Sequence, residues 1–101
     1  MVRKLQKADI DRVADIWLDT NLKAHDFISA QYWKRNFELV KEMLLQAEVY
    51  VYESDQKIQG FIGLNNDYIE GIFVSDKMQS QGIGKILLND TKDKRNELRL
   101  N

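Results

Sequence analysis

Residues 79–85 read Gln-Ser-Gln-Gly-Ile-Gly-Lys, and the apolar run Ile86-Leu87-Leu88 follows at once. Two glycines and a lysine at the mouth of a helix suit an anion. First-turn amides have no intrahelical partner, the helix dipole is positive at that end, and glycine lets a ligand reach the backbone. Phosphate is the natural guest, and spacing discriminates among phosphate motifs. A P-loop needs GxxxxGK followed by Ser or Thr, but Gln79 stands five residues before Gly84 and Ile86 follows Lys85. A dinucleotide fingerprint, GxGxxG, needs a third glycine where this chain has Leu87.

The turn must be positioned by the elements around it. Val2 to Gln6 alternates apolar and polar residues and predicts a short strand, which runs into a helix capped by Asp9. Ile10, Val13, Ala14, Ile16, Trp17 and Leu18 recur at helical spacing to about Leu22, with Trp17 read as core. After an irregular crossing over Asn21 to Phe27, Ser29 is placed to cap a second helix carrying Tyr32, Trp33, Phe37, Val40, Met43 and Leu44. Glu48 to Glu53 and Ile58 to Leu64 then read as strands of a hairpin across Ser54-Asp55-Gln56-Lys57. Asn65-Asn66-Asp67 is a second turn. Tyr68 to Val74 is a third consecutive strand, apolar enough to be expected at the centre of its sheet. Ile69 and Ile72 break the period of two, and Gly71 between them marks a bulge or kink. A helix over about Gly82 to Arg95 and an alternating piece, Glu97 to Asn101, complete the chain.

The order β-α-α-β-β-β-α-β describes an α/β fold: an antiparallel meander with a βαβ unit appended, in one domain spanning residues 1–101. Apolar residues make up 44% and charged residues 31%, a globular composition. The formal charge of -1 gives no broad basic field, so a nucleic-acid partner is not expected. With no cysteine and one histidine, neither a thiolate nor a multi-histidine metal set can be assembled, and no metal is expected. No apolar run reaches the length of a membrane span and the first residues form no apolar signal core, so a cytoplasmic protein without a membrane partner is expected.

Gln79-Ser80-Gln81-Gly82-Ile83-Gly84 matches (Gln/Arg)-x-x-Gly-x-(Gly/Ala), the signature of the GCN5-related N-acetyltransferases. The flanks agree. Ile69-Glu70-Gly71-Ile72-Phe73-Val74-Ser75 resembles the fourth strand of that family, and Ile83 to Leu88 resembles the start of its third helix. This resemblance implies binding of acetyl-CoA as cosubstrate. Its pyrophosphate would sit on the amides of Gln81, Gly82, Ile83, Gly84 and Lys85, with Gln79 and Ser80 beside them. Its pantetheine arm would pair like an extra strand with Ile72, Phe73 and Val74. Lys77, Lys85 and Lys92 are either 3′-phosphate contacts or ordinary solvated cations.

Acetyl transfer to an amine needs a neutral amine, a polarised thioester carbonyl and a protonated leaving thiolate. In the family a general base often comes from the fourth strand, where this chain offers Glu70; the competing reading is a solvent-facing strand residue. Ala24 to Trp33 resembles a loop that lines the acceptor pocket in small bacterial members. That makes His25, Phe27 and Trp33 candidate acceptor contacts, against their reading as capping and core residues. Family members usually continue past the fifth strand with a helix, carrying a tyrosine that protonates the thiolate, and two further strands. Residues 1–101 are therefore expected to form a domain incomplete in that part. Two expectations follow: an N-acetyltransferase acting on a small-molecule or peptide amine, or a non-catalytic CoA-binding or assembly module derived from one. An exposed terminal strand is also expected to recruit another copy into a homo-oligomer.

Overall fold

Alternating side chains build the sheet. In the computed structural model, which describes residues 1–66, 68–94 and 99–100, five strands lie in chain order: β1 (Val2–Lys4), β2 (Glu48–Ser54), β3 (Lys57–Asn65), β4 (Tyr68–Val74) and β5 (Arg99–Leu100). β1 to β4 pair antiparallel and β5 joins β4 in parallel, as the meander with an appended βαβ unit requires. The β2–β3 turn is closed by Asp55 and Gln56, both at positive φ (53° and 63°), the backbone twist that a two-residue hairpin needs. The helices are α1 (Ile10–Ala24), α2 (Ala30–Arg35), α3 (Phe37–Gln46) and α4 (Ile83–Lys94).

Each sheet face has its own core. On one, Val49, Val51 and Phe61 meet Val13, Ala14 and Ile16 of α1 and Leu44 of α3. On the other, Ile62, Leu64 and Ile69 meet Ile83 and Leu87 of α4, flanked by Tyr50, Tyr52, Ile72 and Val74. Alternation along β2 produces this division, with valines to the α1 side and tyrosines to the α4 side. Gly60 lets α4 seat closely. A Cβ there would lie 2.9 Å from the Phe73 carbonyl oxygen and 3.2 Å from Ile83 Cγ2.

Four expectations need correction. The centre of the sheet is β3, whose Ile58, Phe61, Ile62 and Leu64 are all buried, whereas Ile69 alone of β4 is buried. The helix begun by Ser29 is two helices. Ser29 Oγ accepts from the Gln31 amide, but Asn36 ends the first turn run with its side-chain amide on the Tyr32 carbonyl (2.8 Å). That competing side-chain bond is the alternative which disfavours asparagine inside helices. Asp9 precedes α1 without capping it. Its carboxylate is held instead by Arg3 (2.7 Å) and the Gln6 amide (2.8 Å), and Arg3 also reaches Glu53 (2.8 Å). The bonds from Arg3 hold the Asp9 carboxyl below the usual carboxylate range. Finally, α1 runs on to Ala24, so the crossing is shorter than expected. Of the terminal strand, Arg99 and Leu100 are in β5; Glu97, Leu98 and Asn101, like Asp67 and Arg95, lie outside the described residues.

Candidate active site

The turn between β4 and α4 is built mostly from backbone. The Ser75 amide donates to the Gln59 carbonyl (2.8 Å), extending the β3–β4 ladder by one rung, and a short 3-10 turn, Asp76–Met78, follows. The Gln79 side-chain amide reaches back to the Val74 carbonyl (3.2 Å). Ser80 and Gly82 then take positive φ (68° and 82°), reversing the chain into α4. The first helical rung is Ile86 N–H to the Gly82 carbonyl (3.0 Å), so the amides of Ile83, Gly84 and Lys85 precede the ladder. Gly84 sits over the end of β4, where a Cβ would touch Ile72 and Val74 at 3.6 and 4.0 Å. Lys77, Lys85 and Lys92 are all exposed.

β4 itself is irregular where the sequence placed the break. Gly63 pairs with Gly71 and Leu64 with Ile69, leaving Glu70 as the extra residue of a bulge. The bulge turns Ile69 and Ile72 to the α4 face although they are three apart. Glu70, Gly71 and Phe73 then fall on the α1–α3 face, where Phe73 stacks on Phe61 (4.9 Å between centroids). Ile72, Phe73 and Val74 are therefore split between the two faces and share only their backbone edge. Among the described residues, β5 pairs with Tyr68 and Ile69 alone, so that edge has no strand beyond Ile69.

The other predicted residues meet at the end of α1. His25 stacks on Trp33 (5.6 Å, 27° between planes) and Phe27 packs edge-on to His25 (5.8 Å). Trp33 also meets Trp17 edge-on at 5.7 Å, and its indole nitrogen is enclosed without an acceptor. Phe27 is 80% exposed, which overturns its reading as core. Trp17 has a double role, packing on the core and lining a cleft of about 580 Å³ between α3 and the sheet. Glu70 and Phe73 line the same cleft. Trp17 thus connects the His25–Phe27–Trp33 group to the bulge, and Lys23 joins α1 to the turn after β4 through Asp76 (3.1 Å). The sequence reading missed the cleft and Gly63 in it. The available signal was a second glycine across the hairpin from Gly71.

Among the described residues, no helix is long and apolar enough to cross a membrane. Comparison with known proteins places this geometry. Residues 14–101 match the acetyltransferase (GNAT) domain family. The peptidyl-lysine N-acetyltransferase YiaC of Escherichia coli is 30% identical over 102 aligned residues, covering 99% of this chain and 70% of that protein. The peptidyl-lysine N-acetyltransferase YjaB of Salmonella typhimurium is 30% identical over 88 residues, covering 86% and 61%. The chain therefore spans 61–70% of the length of these two relatives. In three dimensions it resembles the solution structure of apo-form YjaB from Escherichia coli, with a TM-score of 0.85 at 23% identity over 99% of this chain and 69% of that one. It also resembles the PaiA N-acetyltransferase of Thermoplasma acidophilum, solved in complex with coenzyme A, with a TM-score of 0.78 at 16% identity over 93% and 70%. Of the two readings the sequence left open, these relatives favour the transferase over the non-catalytic module. The chain belongs to the GNAT family, whose members transfer an acetyl group to an amine.

Proposed function

We propose that this chain transfers the acetyl group of acetyl-CoA to the side-chain amine of a lysine in a protein or peptide. The observation that carries the reading is the meeting of three unladdered amides, Ile83 to Lys85, with the edge of β4 at Ile72 to Val74, which pairs with no strand among the described residues. Amides at a helix N-terminus suit a pyrophosphate, and an open β edge suits the amide groups of a pantetheine arm. Gln79, Ser80, Gln81 and Gly82 shape that turn. Acetyl-CoA supplies an acyl group already activated as a thioester. Glu70 removes the ammonium proton, directly or through water. The amine nitrogen then forms the C–N bond and gives its surplus proton to solvent, the C–S bond breaks, and the sulfur leaves with its electron pair to be protonated from solvent. His25, Phe27 and Trp33 wall the acceptor side. The names of YiaC and YjaB support lysine as acceptor.

The decisive assay follows thiol release from acetyl-CoA in the presence of lysine peptides. Glu70→Gln is expected to lower kcat by about 100-fold, the usual contribution of a general base, with acetyl-CoA binding retained. No thiol release above the hydrolysis blank with any lysine peptide would overturn the reading. The same proposal places the protein in the cytoplasm as one domain with a single thermal transition. It also associates copies through the exposed C-terminal strand, β5, which light scattering would read as a mass above that of a monomer.

A further inference from the structure

One ion pair crosses the end of the sheet. Lys23 lies in the last turn of α1, which packs on one sheet face, and its ammonium is 3.1 Å from Oδ2 of Asp76. Asp76 opens the 3-10 turn that leads to α4, which packs on the other face. The same ammonium is 3.3 Å from Asp19, one turn earlier in α1. An i,i+4 partner of that kind is all that an exposed helical lysine ordinarily finds. The reach to Asp76 is additional. Both carboxylates, Asp76 first, hold the Lys23 ammonium above its usual range. A half-exposed pair adds little to overall stability. What it can fix is position.

The other ties of the turn come from the sheet. Ser75 bonds to Gln59 of β3 twice, through its amide (2.8 Å) and through its hydroxyl (3.0 Å to the side-chain oxygen). The Gln79 side chain returns to the Val74 carbonyl (3.2 Å). Asp76 lies between these anchors, and Lys23 ties it sideways to α1. The Gln79 amide donates to the Asp76 carbonyl (3.4 Å), so a shift of Asp76 passes to the residues that open α4. On its other side Lys23 is close to the aromatic group. His25 follows two residues on, with its amide on the Asn21 carbonyl (3.0 Å) and its ring stacked on Trp33.

We propose that Lys23 is a positioning residue for the turn between β4 and α4. Through Asp76 it holds the amides of Ile83 to Lys85 in a fixed place relative to the end of α1, where His25, Phe27 and Trp33 stand. It acts through Asp76 and touches no reacting atom. The proposal rests on the reading of the turn as the acetyl-CoA site and adds a residue, distant in sequence, that sets its geometry. The competing explanation is that Lys23 attracts the anionic ligand by charge alone. The two differ in sign at Asp76: loss of a carboxylate favours an anion electrostatically but releases the tie.

Calorimetric titration with acetyl-CoA tests that sign. Lys23→Met is expected to weaken binding by about three- to fivefold, the upper range open to a half-exposed ion pair, and Lys23→Arg, which still reaches the carboxylate, to keep it within about 1.5-fold. Asp76→Asn should weaken binding by a similar factor, and the double variant Lys23→Met, Asp76→Asn should bind no worse than either single one. Melting temperatures should stay within about 2 °C of the wild type. Tighter binding by Asp76→Asn, unchanged binding by Lys23→Met, or a loss of stability matching the loss of affinity would overturn the proposal and leave the transferase reading standing. If the wild-type chain bound no acetyl-CoA, the transferase reading would fail, and amide NMR of the ligand-free proteins would decide the tie. Lys23→Met should then shift the amides of Ile83, Gly84 and Lys85, three residues outside the ion pair. Unmoved amides there would overturn it.

Discussion

The turn proposed for the cofactor and the side proposed for the acceptor are built by different rules. The turn occupies one continuous stretch, Ser75 to Lys85, and works mostly through backbone: two residues at positive φ and three amides ahead of a helical ladder, with side-chain ties from Ser75 to Gln59, Asp76 to Lys23 and Gln79 to the Val74 carbonyl. The side proposed for the acceptor draws His25, Phe27, Trp33 and Glu70 from three separate segments, joined through Trp17, and works through side chains. A motif of backbone geometry can be carried by seven consecutive letters. A pocket of side chains exists only after the sheet and helices have packed. The two regions therefore differ in what supports them, and substitutions can separate them.

The largest effect is expected where the cofactor side rests on the core. Leu87 is fully buried between α4 and the sheet, and Leu87→Ala should cost about 2–5 kcal/mol of stability in denaturant titration, because the cavity cannot collapse fully. Acetyl-CoA affinity would fall with it, since the helix presenting the amides is seated by that residue. Next comes Gly84→Glu, which places a carboxylate among the amides meant for an anion. Its Cβ would meet only ordinary contacts with Ile72 and Val74, so the fold should survive. Calorimetry should show acetyl-CoA binding weakened by about 100-fold, the scale of a few kcal/mol for an unpaired charge at an anion site.

A smaller effect is expected from the ion network at the far side of the sheet, which tests whether stability and site can be uncoupled. The Asp9 carboxyl is held low by Arg3, so its folded value lies below its unfolded one of about 3.9. Its stabilisation is complete above the unfolded value and is lost as pH falls through the folded one. Asp9→Asn should cost about 1–3 kcal/mol near neutrality and flatten the acid limb of stability against pH, with acetyl-CoA affinity unchanged. The smallest stability effect belongs to Phe27→Ala. At 80% exposed the ring adds little to the core, and the melting temperature should move by less than about 0.5 kcal/mol in equivalent stability. Its effect should appear instead as a severalfold rise in peptide KM. A large loss of stability there would mean that the aromatic group is structural.

Much of this was legible in the sequence because local patterns determine it. Alternation in Glu48 to Glu53 placed the valines and tyrosines on opposite faces, and the three-residue spacing of Ile69 and Ile72 located the bulge. The turn residues sat together and the family signature lay across them. The errors came from competition that periodicity does not register. Asn36 divides one apolar stripe into two helices through a bond to its own backbone, and Arg3 takes Asp9 away from the helix it was expected to cap. β4 is apolar without being central, because the strand order puts β3 in the middle, and among the described residues β5 pairs with β4 at Tyr68 and Ile69 alone. The cleft was invisible because its floor is defined by side chains that are missing from two strands.

The central claim is that the amides opening α4 bind the pyrophosphate of acetyl-CoA. Its most direct test is an amide-resolved NMR titration of the labelled chain with acetyl-CoA. The account predicts the largest shifts at Ile83, Gly84 and Lys85, with smaller ones along Ile72 to Val74 and none at Arg3 or Asp9. Saturable binding that leaves residues 83–85 unmoved, or no binding at millimolar acetyl-CoA, would contradict it.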